Sequence, residues 1–225
     1  MNSAETSIAA RGRAARNKAD KHRRIMRAAR DLFRRKGFAQ TTTSEIASRA
    51  DVGKGTVFLY ARSKNELLVM FFQEVVGQSV ERGLATMPAG KLLDQVMHLF
   101  DVMLEYNRRD VELARVFAKE ISFIDTDRTG IAAVMSQIYG GLAALIDDAK
   151  RRTEVAEQID SRVLAHNLFA LYFMFLLRWL GGASQAPDIA ILRASIAMQL
   201  DALAPARGNG KSARARRLRG TEVLP

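Results

Sequence analysis

From about residue 20 onward the chain places its apolar residues three and four apart, and no stretch alternates apolar with polar between turn residues. That single periodicity confines the fold to helices packed on helices. Across residues 24–36 the stripe is Ile25, Ala28, Ala29, Leu32 and Phe33, and Gly37 supplies a left-handed cap, so the first helix is expected to end near Lys36. Thr42 and Glu45 stand at capping-box spacing before a short helix carrying Ile46 and Ala47. Asp51, Val52 and Gly53 interrupt it, because Asp tolerates and Gly readily adopts a left-handed backbone. A third short helix is expected from Lys54 to about Tyr60. Ser63 and Glu66 repeat the capping box and open a longer helix that stops at Met87 and Pro88. Amphipathic stretches follow at about 91–107, 110–124, 129–153, 160–181 and 188–204. In the third of these Ile131, Val134, Met135, Ile138, Leu142, Leu145, Ile146 and Ala149 mark one face over five turns.

Charge divides the chain unevenly. Residues 1–70 hold 16 Lys and Arg against 6 Asp and Glu, residues 205–225 hold 6 against 1, and the stretch between them holds 13 against 17. A basic head on an acidic body points to a polyanion at one end, although a basic segment can also serve solubility alone. The expected division is a flexible basic arm (1–21), a DNA-binding unit (22–66), a helical body (67–204) and a mobile basic tail (205–225), whose Pro, Gly, Ser and Arg cannot bury enough surface to offset ordering.

Several classes are excluded. With no cysteine, thiolate metal sites, disulfides and cysteine nucleophiles are absent. The longest apolar run, 168–177, is half of what a bilayer crossing needs and reads as a buried helix. The basic N-terminal residues have no apolar segment behind them, which argues against a secretory signal, so a cytoplasmic protein without a membrane partner is expected. His22, His98 and His166 are far apart and form no metal-ligand pattern. The tail's Gly210, Lys211 and Ser212 fail as a phosphate loop because Pro205 stands at the first glycine position. No enzyme, cofactor or metal is expected.

The head meets the needs of a helix-turn-helix reader. Ala47 is small enough for close approach, Ile46, Val52 and Val57 can seal the pair against the first helix, and Lys54, Gly55 and Thr56 open a helix where free N–H groups suit a phosphate.

Here the sequence resembles the tetracycline-repressor (TetR) family of one-component bacterial regulators. The resemblance lies in Ala29, Arg30, Asp31, Leu32, Phe33 with Gly37 and Phe38, in Thr42 and Thr43 before Ile46 and Ala47, and in the run 52–57 leading to 63–68. It covers about residues 22–70. It implies that Thr43, Lys54, Tyr60 and Lys64 contact phosphates and that Thr56, Phe58 and Leu59 lie on the helix surface offered to the groove. Asp51 stands in place of the usual turn glycine and Gly53 in place of a Ser or Thr, and Phe58 lacks the hydroxyl common at its position. Base readout is therefore expected to use thymine methyls and DNA shape. Such arms can enter a minor groove in the family; plain solvation of this one stays open.

For the body the resemblance implies effector binding and dimerisation. Eight of the eleven Phe, three of the four Tyr and the single Trp fall in residues 71–204. Candidate pocket residues are Phe100, Met103, Leu104, Phe117, Ile121, Met135, Ile138, Tyr139, Phe169, Tyr172 and Phe173, each of which could instead be ordinary core. Polar residues in these faces, His98, Asn107, Gln137, His166 and Asn167, need partners if buried. A small apolar or amphipathic effector would suit such a pocket. The stretches 160–181 and 188–204 are apolar on two sides, the pattern of a homodimer surface. The expected function is a homodimeric, ligand-responsive repressor on double-stranded operator DNA. An architectural DNA-binding protein or a small-molecule carrier are the alternatives.

Overall fold

The computed structural model describes residues 2–120, 130–182 and 186–205, and among them every regular element is a helix. These are α1 (Asn2–Lys36), α2 (Thr43–Arg49), α3 (Lys54–Tyr60), α4 (Lys64–Ala85), α5 (Leu92–Arg109), α6 (Val111–Glu120), α7 (Ile131–Arg151), α8 (Ser161–Leu180) and α9 (Ile189–Ala202). Ile121, the end of the stretch expected up to 124, and the basic tail after Pro205 lie outside the described residues.

The start of α1 departs from expectation. The arm expected at residues 1–21 is, from Asn2 onward, continuous with the helix that carries the head's core. No apolar stripe announces this part. Ala9, Ala10, Ala14, Ala15 and Ala19 among Arg and Lys supply helix propensity instead, which periodicity does not detect.

Caps behave largely as local chemistry dictates. Thr42 and Glu45 form a complete capping box on α2, and Gly37 takes φ 83° after α1. At α4 the Ser63 hydroxyl accepts from Glu66 N at 3.1 Å, while the Glu66 carboxylate accepts from Arg62 N, one residue upstream of the usual box partner. In the α2–α3 turn Asp51 takes the left-handed conformation (φ 51°); Gly53 is extended (φ −65°) and caps α3 without a side chain.

The head packs Ile25, Ala29 and Phe33 of α1 against Ile46 and Ala47 of α2 and Val57 of α3, all buried. α4 then belongs to both halves. Its early residues Leu67, Leu68 and Val69 are buried near the head, and Val80 and Gly83 are buried in the body. Gly83 permits close passage of α5, since a Cβ there would stand 2.7 Å from Leu99 Cδ1. α8 is, by length and composition, apolar enough to cross a membrane, yet Leu164, Leu168, Phe169, Tyr172, Leu176 and Trp179 are buried inside the body.

Candidate nucleic-acid interface and body cavity

In α3 Val57 is fully buried and Tyr60 is half-buried against the head's core, while the other side chains face outward to differing degrees. Lys54 and Gly55 are exposed, Phe58 is 45% and Leu59 81% exposed, and Thr56 is half-buried. Exposed apolar side chains on a seven-residue helix beside Lys54 leave a surface suited to apolar base edges flanked by phosphate. Thr43, half-buried, opens α2 immediately after the Thr42 cap.

The two remaining residues expected at phosphates are engaged within the head. Lys64 Nζ donates to the carbonyl oxygens of Phe38, Ala39 and Thr41 at 2.9, 3.0 and 3.1 Å, and stands 4.5 Å from the Phe38 ring centroid. An ammonium has three donors, and here all three close the loop between α1 and α2. The Tyr60 hydroxyl donates to the Lys18 carbonyl at 3.0 Å, and its ring lies 5.7 Å from that of His22. Nothing in the local sequence reveals these partners, which are 23 to 42 residues away.

Ion pairs brace the turn and the loop. Arg24 Nη1 lies 3.4 Å from Asp51 Oδ2, tying the left-handed turn residue to α1. Lys36 donates to Glu45, which also accepts from Thr42; these hydrogen bonds, with Lys36 the largest contributor, bring the Glu45 carboxyl down to about 2.

The body encloses a cavity of about 420 Å³ between α4, α5, α6, α7 and α8. Of the residues expected there, Met103, Phe117, Met135, Ile138, Tyr139, Phe169, Tyr172 and Phe173 line it. Phe100 and Leu104 do not; both are buried in the core, and the Phe100 ring stacks behind Tyr172 at 4.5 Å. Val76, Ile131, Val134, Ala170 and Leu176 also line the cavity, and their type alone does not distinguish them from core.

Among the described lining residues there is no Lys, Arg, Asp or Glu. The polar side chains there are Asn107, Tyr139, His166 and Tyr172. Asn107 Nδ2 donates to the Met103 carbonyl at 3.0 Å. His166 Nδ1 donates to the Arg162 carbonyl at 2.8 Å, because a carbonyl only accepts. The His166 ring stacks on Tyr139 at 3.8 Å. The buried Tyr172 hydroxyl has no hydrogen-bond partner among the described residues, and burial raises it well above the ordinary tyrosine range, so it stays a donor. The other three polar residues singled out lie elsewhere: His98 Nε2 meets Thr86 Oγ1 at 3.0 Å, half-buried Gln137 lies beside Gly77 of α4, and Asn167 faces a groove between α8 and α9.

The sequence model of the bacterial regulatory proteins of the tetR family matches residues 25–70, the part that builds the helix pair and its support. Over residues 25–70 the chain carries that family's sequence. The fatty acid metabolism regulator protein of Bacillus subtilis (strain 168) is 37% identical over 65 residues, 29% of this chain and 34% of that protein, so the match spans about a third of the relative's length. The transcriptional repressor KstR of Rhodococcus jostii (strain RHA1) is 26% identical over 171 residues, 76% of this chain and 78% of that protein. Among solved structures, Thermus thermophilus FadR, a TetR-family transcriptional repressor in complex with lauroyl-CoA, superposes with a TM-score of 0.63 at 27% identity, covering 79% of this chain and 92% of that one. The family model thus falls on the head, while the matches to KstR and to FadR extend over about three quarters of the chain.

Proposed function

We propose that this chain is a homodimeric tetR-family transcriptional repressor released from operator DNA by an apolar-chain effector whose polar group is uncharged, with an acyl thioester as the favoured class. One observation carries the reading: an apolar cavity is mechanically joined to the DNA-binding head. Phe117 of the cavity wall stacks on Phe72 of α4 at 4.6 Å, Phe72 meets Phe71 at 5.3 Å, and the Arg34 guanidinium of α1 lies 5.7 Å from the Phe71 centroid. Arg34 also reaches Asp110 at 3.5 Å, and Asp110 caps α6 through Leu113 N at 3.4 Å. An effector that moves α6 therefore acts on α1 through two contacts. Taking the operator-competent population from about 99% to about 1% requires a preference of roughly 5.5 kcal/mol between the two states.

The effector class follows from the lining. No Lys or Arg stands among the described lining residues to pair a carboxylate, whereas an ester or thioester carbonyl finds a donor in Tyr172. Lauroyl-CoA, bound to the Thermus relative, joins an acyl chain to an uncharged thioester carbonyl, and in this reading only that part enters the cavity while the charged coenzyme A group stays outside it. Dimerisation is assigned to α8 and α9, where Val163, Met174, Ile191 and Met198 are exposed around their shared groove and Gln199 Oε1 is buried without a partner among the described residues. A DNA-bound role places the protein in the cytoplasm.

Thermal unfolding with lauroyl-CoA or laurate tests this. At 100 times its dissociation constant a ligand adds about 2.7 kcal/mol, roughly 5–10 °C for a domain of this size. Lauroyl-CoA should raise Tm and release a selected operator duplex; equal action by laurate would sink the uncharged-head assignment, and inaction by both would sink the acyl effector.

A further inference from the structure

The first half of α1 owes its helicity to alanine propensity, with no buried face at residues 11–19 to hold it. Between residues 11 and 24 it carries Arg11, Arg13, Arg16, Lys18, Lys21, Arg23 and Arg24 against a single carboxylate, Asp20, which Arg23 and Arg24 already hold at 2.5 and 3.4 Å. Residues 11–19 are all exposed, so no apolar face supports them. Arg13 and Arg16, Lys18 and Lys21, and Lys21 and Arg24 stand three apart, like-charge neighbours that destabilise an isolated helix. A helix polar all round needs an outside partner, and this charge pattern specifies a polyanion.

Its aim is set by the head. Tyr60 ends the recognition helix and bonds the Lys18 carbonyl, His22 packs on the Tyr60 ring, and Arg24 grips Asp51 in the turn. The extension is thereby bolted to both ends of α3 on the side where a phosphate contact was expected of Tyr60. We propose that residues 11–21 form a rigid basic rod that lies along the phosphate backbone beside each half-site, rather than an arm that enters the minor groove. The dimensions decide between them. A helix with side chains is about 10–12 Å across, wider than a minor groove of about 6 Å. Eleven helical residues reach about 16 Å, about half of a duplex turn of about 34 Å.

This rests on the DNA-binding reading, and its test separates the two. A duplex selected from a random pool by the full-length chain is prepared with 12-base-pair flanks and with flanks removed, and binding is followed over a salt series. On the flanked duplex the R11Q/R13Q/R16Q triple variant should flatten the log–log salt slope by about 0.9 for each phosphate it no longer neutralises, with the selected base preferences retained. On the trimmed duplex it should match the wild type. A15P keeps every charge but breaks the rod, and should flatten the slope as much as the triple variant. A wild-type slope in the triple variant would overturn the phosphate contact, and a wild-type slope in A15P would overturn the rod in favour of a flexible arm. Recovery of no duplex by the wild-type chain would remove the DNA-binding reading itself, and the rod with it.

Discussion

Head and body solve opposite problems with the same kind of helix. The head surrounds a small core with an exposed, basic surface, and its recognition helix is anchored by buried Val57 and half-buried Tyr60. The body keeps its distinctive surface inside, as an apolar cavity. The family match falls in the head, residues 25–70, which in the proposed function meets a partner of constant form. A surface matched to DNA restricts residue choice position by position, whereas a cavity needs only compatible volume and polarity.

That contrast can be broken experimentally, the largest effect coming first. M174E and M198E put charges on the exposed faces of α8 and α9. Sedimentation should show monomers, and operator affinity should fall by about 100-fold or more as the second half-site becomes an independent event. A dimer that survives both changes would move the interface elsewhere. M135W, a half-buried position on the cavity wall, should fill the cavity and raise the lauroyl-CoA concentration needed for release by about 10- to 100-fold through overpacking. Unchanged operator affinity in that variant would show that the two halves can be altered separately; a matching loss would show that they cannot.

Within the head, K54A should weaken binding about tenfold on every sequence and reduce the salt slope by about one, while F58A should change which base pairs are preferred. Identical profiles would remove the distinction between charge contact and readout. The smallest effect concerns Glu45. Its carboxyl is depressed from 4.5 to about 2, so between those values the unfolded chain binds more protons than the folded one. Stability from this group is present above about 4.5 and is lost as pH falls toward 2. E45Q should flatten the acid limb of Tm against pH in that window, and an unaltered limb would show that the Lys36 and Thr42 bonds leave stability untouched.

What could be read in advance was short-range. The Thr42 and Glu45 box, the Gly37 cap and the stripe of Ile25, Ala29 and Phe33 depend on neighbours within a turn or two, and they stand where the spacing put them. Lys64 illustrates the limit, because its three carbonyl partners meet it only after the head has folded. Phe100 and Met103 share one stripe of α5, yet one backs Tyr172 and the other faces the cavity, a difference set by how the other helices cross. Trp179, which the apolar pattern of α8 would nominate for an interface, is 5% exposed within a single protomer. The start of α1 escaped detection because its helicity comes from alanine content without burial.

The shared helix α4 has a practical side. No tether separates the unit that would grip an operator from the unit that would sense a metabolite, so a hybrid sensor cannot be spliced at a loop. Any exchange of one specificity for another must cut inside α4, between the residues seated under the head and Gly83 against Leu99, and must preserve the rotational phase of that helix to a fraction of a turn. A graft out of phase would fold twice over and communicate nothing.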